Sequence, residues 1–227
     1  MTVAPYSTGT PADGGDAANG AISLPSNPSI TANNSTLLRL IVVGINTYNG
    51  INDNENAPHI VFQFHNVPGT HRMNPYGTTV GGYAGSEMRK YLVPVDGVGG
   101  NYLTGLINAG VPESVLWVPS RRVWNGPGSA VAGTIEDALF LPTEREIFGK
   151  NEWSHATETV GNQGRFYYYA NNPSRLKYNS ANSAMLYWDA SPYGSNCDFC
   201  IVDPVFYHHV YSRTGSTVGV APAFCVK

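Results

Sequence analysis

The chain has 227 residues, enough for one folded domain with a short appended arm. Apolar residues make up 42% and aromatics 11%, so a sizeable core is available, while the charged share of 13% is about half the usual one. The net charge of −3 gives no basic footprint for nucleic acid and no polybasic membrane patch, and no apolar run is long enough to span a bilayer.

Residues 1–35 are rich in Gly, Ala, Pro, Ser, Thr and Asn, with hardly a large apolar residue. Such a segment buries too little surface to offset its ordering entropy, so it reads as a flexible linker or a tether to a larger assembly. The start, Met1-Thr2-Val3-Ala4-Pro5-Tyr6, has neither the positive nor the apolar region of a secretory signal, and none is expected.

The folded part, residues 36–227, opens on a β-branched run, Leu37–Ile45, that reads as a buried strand. After a polar loop, His59–His65 alternates polar and apolar residues in the manner of a half-buried strand. Ser86 is placed to cap a helix running through Leu92 and stopped by Pro94. A second short helix fits Tyr102–Asn108, ended by Gly110, and a strand fits Ser114–Val118, closed by Pro119. Thr143-Glu144-Arg145-Glu146 has the capping-box pattern, which puts Pro142 in the first turn of a helix ending at Gly149. Strands are expected at Phe166–Tyr169, Met185–Trp188, Phe199–Val202, Phe206–Val210 and Val218–Phe224. Helices early and strands late, with much irregular chain between, indicate an α+β fold.

Enzyme signatures are sparse. There is no Gly-rich phosphate loop before a helix and no G-x-S-x-G elbow. Cys197-Asp198-Phe199-Cys200 has C-x-x-C spacing, but its flanks read as strand and turn, not as the helix N-terminus that lowers a thiol pKa. His208 and His209 are neighbours, which on a strand point to opposite faces. His59, His65 and His71 read as locally hydrogen-bonded residues, Glu144 and Glu146 as helix caps, the four tryptophans as core, and Arg121-Arg122 as a solvated pair. No cluster of Glu, Asn and Asp oxygens indicates a calcium site, and no cofactor is expected.

The C-terminal segment has a distinct composition. From Asp189 to Val226 it contains no Lys, Glu, Gln, Met or Trp, although these types number 22 in the whole chain. At that frequency the stretch should hold about three or four. These are the five amino acids that codons ending in a pyrimidine cannot encode, so the gap fits a segment diversified at the first two bases of Asn-type codons. A β-rich stretch that avoids long helix formers leaves the same gap.

Four ordered motifs carry a family resemblance over residues 37–227. They are Asn74 with Gly81-Gly82-Tyr83-Ala84-Gly85-Ser86-Glu87-Met88-Arg89-Lys90-Tyr91-Leu92; Leu141-Pro142-Thr143-Glu144-Arg145-Glu146-Ile147-Phe148-Gly149; Tyr187-Trp188-Asp189-Ala190-Ser191-Pro192 with Phe199-Cys200; and Gly219-Val220-Ala221-Pro222-Ala223-Phe224-Cys225-Val226. Together they resemble a bacterial and phage domain family with a C-type-lectin-like fold, related in architecture to formylglycine-generating enzymes and similar to the variable proteins of diversity-generating retroelements. The resemblance implies short helices, a small mixed or antiparallel sheet, much loop, and a variable region over about residues 189–226. It implies a fixed frame of Trp188, Ser191, Pro192, Phe199, Cys200, Val202, Gly219, Pro222, Phe224 and Cys225. Between these lie the candidate ligand-contacting positions Tyr193, Ser195, Asn196, Asp198, Ile201, Asp203, Val205, Tyr207, His208, His209, Tyr211 and Arg213. Asp189 departs from the longer acid that relatives tend to carry, and the paired-Cys oxidase spacing of the enzyme branch has no counterpart here.

The expected function is therefore that of a non-enzymatic receptor-binding protein on a phage tail or bacterial surface, contacting a protein or glycan on a target cell. Its expected context is a homotrimer or a larger tail or fibre assembly joined through residues 1–35. A formylglycine-generating-type oxidase and a ligand-free tail or collar protein are the alternatives.

Overall fold

The computed structural model describes residues 22–24, 38–129, 132–155, 164–194, 197–204 and 209–227. In chain order the elements begin with β1 (Ile22–Leu24), β2 (Leu38–Ile45), β3 (Ile60–Phe64) and β4 (Thr70–Arg72). Helix α1 (Glu87–Leu92), the two-residue strands β5 (Pro94–Val95) and β6 (Val98–Gly99), and helix α2 (Asn101–Asn108) follow. Next come a 3-10 turn (Glu113–Val115), β7 (Leu116–Trp117), β8 (Ser120–Trp124), β9 (Ala132–Glu136), α3 (Glu144–Phe148) and α4 (Tyr167–Asn171). The chain closes with β10 (Tyr187–Pro192), β11 (Asp198–Val202), β12 (His209–Arg213), β13 (Thr217–Gly219) and β14 (Ala223–Val226). Short helices, small sheets and much irregular chain make the fold α+β.

One sheet has the order β1-β2-β3-β14-β7 and is antiparallel throughout. The second has the order β12-β11-β10-β13-β4, antiparallel except between β10 and β13. Two core clusters explain why the β2 run lacks alternation. Leu40, Phe62, Phe64 and Phe224 pack into the first, with Met88, Leu92, Tyr102, Leu106, Trp188, Phe199 and Ile201. Ile41, Val43, Val61, Ala223 and Cys225 pack into the second, with Tyr48, Phe140, Ile147, Phe166, Tyr169 and Tyr187. Successive side chains thus enter opposite cores, so both faces of this sheet are covered and a continuous apolar run is what the strands need.

That double burial changes the reading of β3. The expected half-buried strand is buried along its length except at Ile60. Gln63, fully buried, donates from Nε2 to the Ala221 carbonyl at 3.0 Å and accepts the Tyr169 hydroxyl at 2.5 Å. A polar residue in a strand therefore marks a buried hydrogen-bonding site here, not a wet face.

Both sequence-legible caps form. Ser86 accepts the Arg89 N–H at 3.1 Å, and Thr143 and Glu146 make a reciprocal capping box closed by Gly149 at φ 81°. Pro142 lies before the cap and outside the first turn, where its carbonyl accepts the Ala190 N–H at 2.8 Å and ties α3 to β10. Gly82, at φ 56°, brings its turn against the end of β8: a Cβ there would sit 2.0 Å from the Trp124 carbonyl oxygen.

Four further expectations are corrected. Phe166–Tyr169 belongs to a helix and its N-cap, because Arg175 caps the end by donating to the Tyr169 carbonyl at 2.9 Å and the Asn172 carbonyl at 2.7 Å. Tyr167 is then exposed while Tyr168 and Tyr169 are buried. The single strand at Val218–Phe224 is two strands in different sheets, since the chain crosses between them at 220–222 and Pro222 has no N–H for a ladder. Ser114–Val118 begins as a 3-10 turn, with only Leu116 and Trp117 pairing to β14. Arg121 is fully buried on the β8–β9 hairpin, which the sequence reading missed.

Of the N-terminal arm, Ile22–Leu24 add an edge strand to β2.

Candidate functional site

The C-terminal face is built on β10, β11 and β12. All ten frame positions are buried: Trp188, Ser191, Pro192, Phe199, Cys200, Val202, Gly219, Pro222, Phe224 and Cys225. Trp188 is anchored by its indole N–H, which donates to the His71 carbonyl at 2.8 Å. The turn after β12 is tied to the first motif: Thr214 Oγ1 donates to the Tyr76 carbonyl at 2.9 Å, and Asn74 N–H donates to the Thr214 carbonyl at 3.0 Å. The side chain of Asn74 meanwhile accepts the Glu87 N–H and donates to the Thr78 carbonyl, so one residue links the start of α1 to this turn.

The twelve candidate contact positions divide by location. Ser195, Asn196, Val205, Tyr207 and His208 lie outside the described residues. His209, Tyr211 and Arg213 fall on β12, the edge of its sheet, and register sets them opposite Val202, Cys200 and Asp198. They alternate with Val210 and Ser212, which lie opposite Ile201 and Phe199; the β11 partners of both sets are buried, Ile201 and Phe199 in the first core cluster and Val202 in the second. Tyr193 and Asp203 are half-buried. Asp198 is buried, and Ile201 at 3% exposure belongs to the first core cluster. The structure thus places Tyr193 directly after β10, the β12 positions on the edge of the same sheet, and Ile201 inside.

Trp153, expected in the core with the other tryptophans, instead lies on a loop beside this face. Trp153 is 37% exposed, while Trp117, Trp124 and Trp188 are buried. Its ring lies 5.9 Å from that of Tyr193, tilted by 35°, and Ser154 makes a β-bridge to Tyr193. The loop is held by the carboxylate of Glu144, fully buried at the first turn of α3. Three successive backbone N–H groups converge on it: that of Glu152, that of Trp153 at 3.2 Å and that of Ser154 at 2.8 Å. Glu144 is positioned in turn by its own N–H, which donates to Ser191 Oγ at 2.9 Å, and Ser191 N–H donates to Asp189 Oδ1 at 2.7 Å. A fixed residue of β10 therefore orients the loop through one buried carboxylate. Capping alone was expected of Glu144; only the tertiary fold brings residues 152–154 to it.

Glu146 has a second role as well. It accepts from buried Arg121 (Nη2–Oε2 2.5 Å) and from the Tyr48 hydroxyl at 2.6 Å, and the Arg121 guanidinium lies 3.9 Å from the Phe140 ring centroid. The solvated Arg121-Arg122 pair is corrected accordingly. His59 is held locally, with Nδ1 against the Ala57 carbonyl at 2.9 Å and Nε2 accepting the Tyr48 N–H. Among the described residues no group of three His, Cys, Asp or Glu side chains could hold a metal ion, and no disulfide links the cysteines. Burial pushes the Cys225 thiol well above the usual range. Among the described residues no helix is long and apolar enough to cross a membrane.

A recess of about 560 Å³ beside β7–β9 is lined by Asn52, Asp53, Asn54, Glu55, Ser120 and Glu136, among others. Three of its polar residues are engaged: Glu55 pairs with Lys227 at 2.7 Å, Asn52 accepts from Arg122 Nε, and the Asn54 amide bonds the Ser120 backbone on both sides.

Residues 65–227 match the model of a domain of unknown function, DUF6273. The chain belongs to this family. No curated protein and no solved structure matches it. The DUF6273 match starts just beyond β3, so it takes in all four motifs, the β10–β12 face and the Trp153 loop, while β2 and β3, which share a sheet with β14, precede it.

Proposed function

We propose that this DUF6273 protein is a receptor-binding protein with a C-type-lectin-like fold, whose β12 edge and neighbouring positions form a diversified contact face. The observation that carries the reading is the separation along the C-terminal segment. Every frame position is buried within the sheets, whereas His209, Tyr211 and Arg213 recur with period two on β12, the strand at the open edge of the second sheet. The architecture supports the same reading: β2, β3 and β14 share one sheet, with the second sheet inserted between β3 and β14 in the chain. A frame of this kind loses little ordering entropy on binding, and Tyr with His supplies amphipathic contact area. Presentation on a phage tail or bacterial surface, in several copies, raises avidity without new contacts.

The test is attachment of the labelled full chain to a panel of bacterial cells. Combined His209→Ala, Tyr211→Ala and Arg213→Ala substitution is expected to abolish attachment while the unfolding midpoint stays put. Unchanged attachment refutes the face. The diversification claim is read separately from DNA, as a near-copy of the 189–226 coding segment beside a reverse-transcriptase gene.

A further inference from the structure

We infer that the recess formed by Glu152, Trp153, Tyr193 and Gly194 is a subsite for one neutral pyranose ring of a glycan. The inference rests on the binding-face reading above and names the ligand class for one part of that face. The recess measures about 480 Å³, within the range of about 300–1,000 Å³ typical of small-ligand sites. Trp153 and Tyr193 form an aromatic wall that retains solvent-facing area. A pyranose has an apolar C–H face suited to such a wall and a rim of hydroxyls needing both donors and acceptors. Glu152, which lines the recess, and its ion-pair partner Lys150 supply both, since the carboxylate and ammonium meet at 2.5 Å with side chains 45% and 64% exposed.

That ion pair also decides against a cation. Aromatic rings beside a carboxylate otherwise suit an ammonium ligand. Here Lys150 already neutralises Glu152, and an incoming cation meets a like charge. A neutral polyol loses nothing by this. Gly194 also lines the recess, and a Cβ built there would meet nothing within 4 Å, so this side of the recess is open. The three N–H bonds to buried Glu144 fix the loop before ligand arrives, so little ordering cost falls on binding.

The experiment is saturation-transfer NMR on the full chain. The probes are the methyl glycosides of glucose, galactose, mannose and N-acetylglucosamine, with choline and N-acetylphenylalanine amide as the cationic and aromatic-peptide arms. The expected result is transfer to the ring C–H protons of at least one glycoside. It should fall at least five-fold in Trp153→Ala, persist in Trp153→Phe, and resist competition by choline or the amide. No transfer to any glycoside, transfer undiminished in Trp153→Ala, or displacement by choline or the amide overturns the inference. If no glycoside binds while the β12 variant still loses attachment, the subsite fails and the face stands. If glycoside transfer behaves as expected while the β12 variant attaches normally, the face fails and the subsite stands.

Discussion

Replacing Glu146 by Gln tests how the two cores are joined. The change keeps shape and leaves an oxygen able to accept from Tyr48 or Thr143, but it strands the Arg121 guanidinium, fully buried against Phe140. Breaking a buried ion pair from one side costs about 3–5 kcal/mol, most of it the penalty of the uncompensated charge. At about 2–4 °C per kcal/mol for a chain of this size, the midpoint should drop by roughly 6–20 °C. Arg121→Met should sit at the lower end, because Tyr48, Thr143 N–H and the capping box still satisfy Glu146. The double variant Arg121→Met/Glu146→Leu removes both charges. It should lose only the cap and the Tyr48 acceptor, about 1–3 kcal/mol in all. The assay is a double-mutant cycle by urea and thermal unfolding. A loss below about 1 kcal/mol in Glu146→Gln, or a double variant that simply sums the singles, refutes the argument.

The remaining predictions use the same unfolding assays. Glu144→Gln turns an amide N–H toward N–H groups it once accepted, so it should cost about 1–3 kcal/mol and raise hydrogen exchange selectively at residues 152–154. Gly82→Ala combines a left-handed backbone with a Cβ 2.0 Å from a carbonyl and should cost about 2–5 kcal/mol, against about 1 kcal/mol for Gly97→Ala, where φ is also positive but nothing lies within 4 Å. Burial raises the hydroxyl pKa values of Tyr48, Tyr83, Tyr102 and Tyr187 above the ordinary value of about 10, so their contribution is complete below that pH and is lost as pH rises from there. Stability should therefore fall steeply in alkali, with tyrosinate absorbance lagging until unfolding. His59 has the opposite sign: burial lowers its pKa, so its contribution is present above about pH 6.5 and fades as the unfolded state takes up a proton below it.

What the sequence revealed followed from local physics. Ser86, Thr143, Glu146 and Gly149 specify their helix ends through bonds spanning three or four residues, and these formed as read. The β2 run, β10 and β11 were legible because buried strands need β-branched and aromatic residues. The misses share a cause in distance. Arg121 looks solvated until Glu146, 25 residues away, arrives beside it, and α4 looks like a strand until Arg175 caps it. Trp153 reads as core by residue type, yet Glu144 holds its loop at the surface. A carboxylate at a helix start gives a single sign in the sequence, whether it caps its own helix, as Glu146 does, or clamps another loop, as Glu144 does.

The same distinction limits which C-terminal positions can vary. A substitution on an edge strand away from special features shifts stability by about 0.5 kcal/mol or less, whereas truncating a core Ile costs about 2–5 kcal/mol. His209, Tyr211 and Arg213 sit on the edge; Ile201 is in the first core cluster and Asp198 is buried on the same strand. Diversity at Ile201 would therefore be spent on stability, and any polar replacement would add the cost of an unsatisfied group. A folding-selected library randomised at positions 201, 209, 211 and 213 should return nearly all residue types at the three β12 positions and only aliphatic ones at 201. Equal tolerance at all four would mean that the core does not extend to β11, and the separation of frame from contact face would go with it.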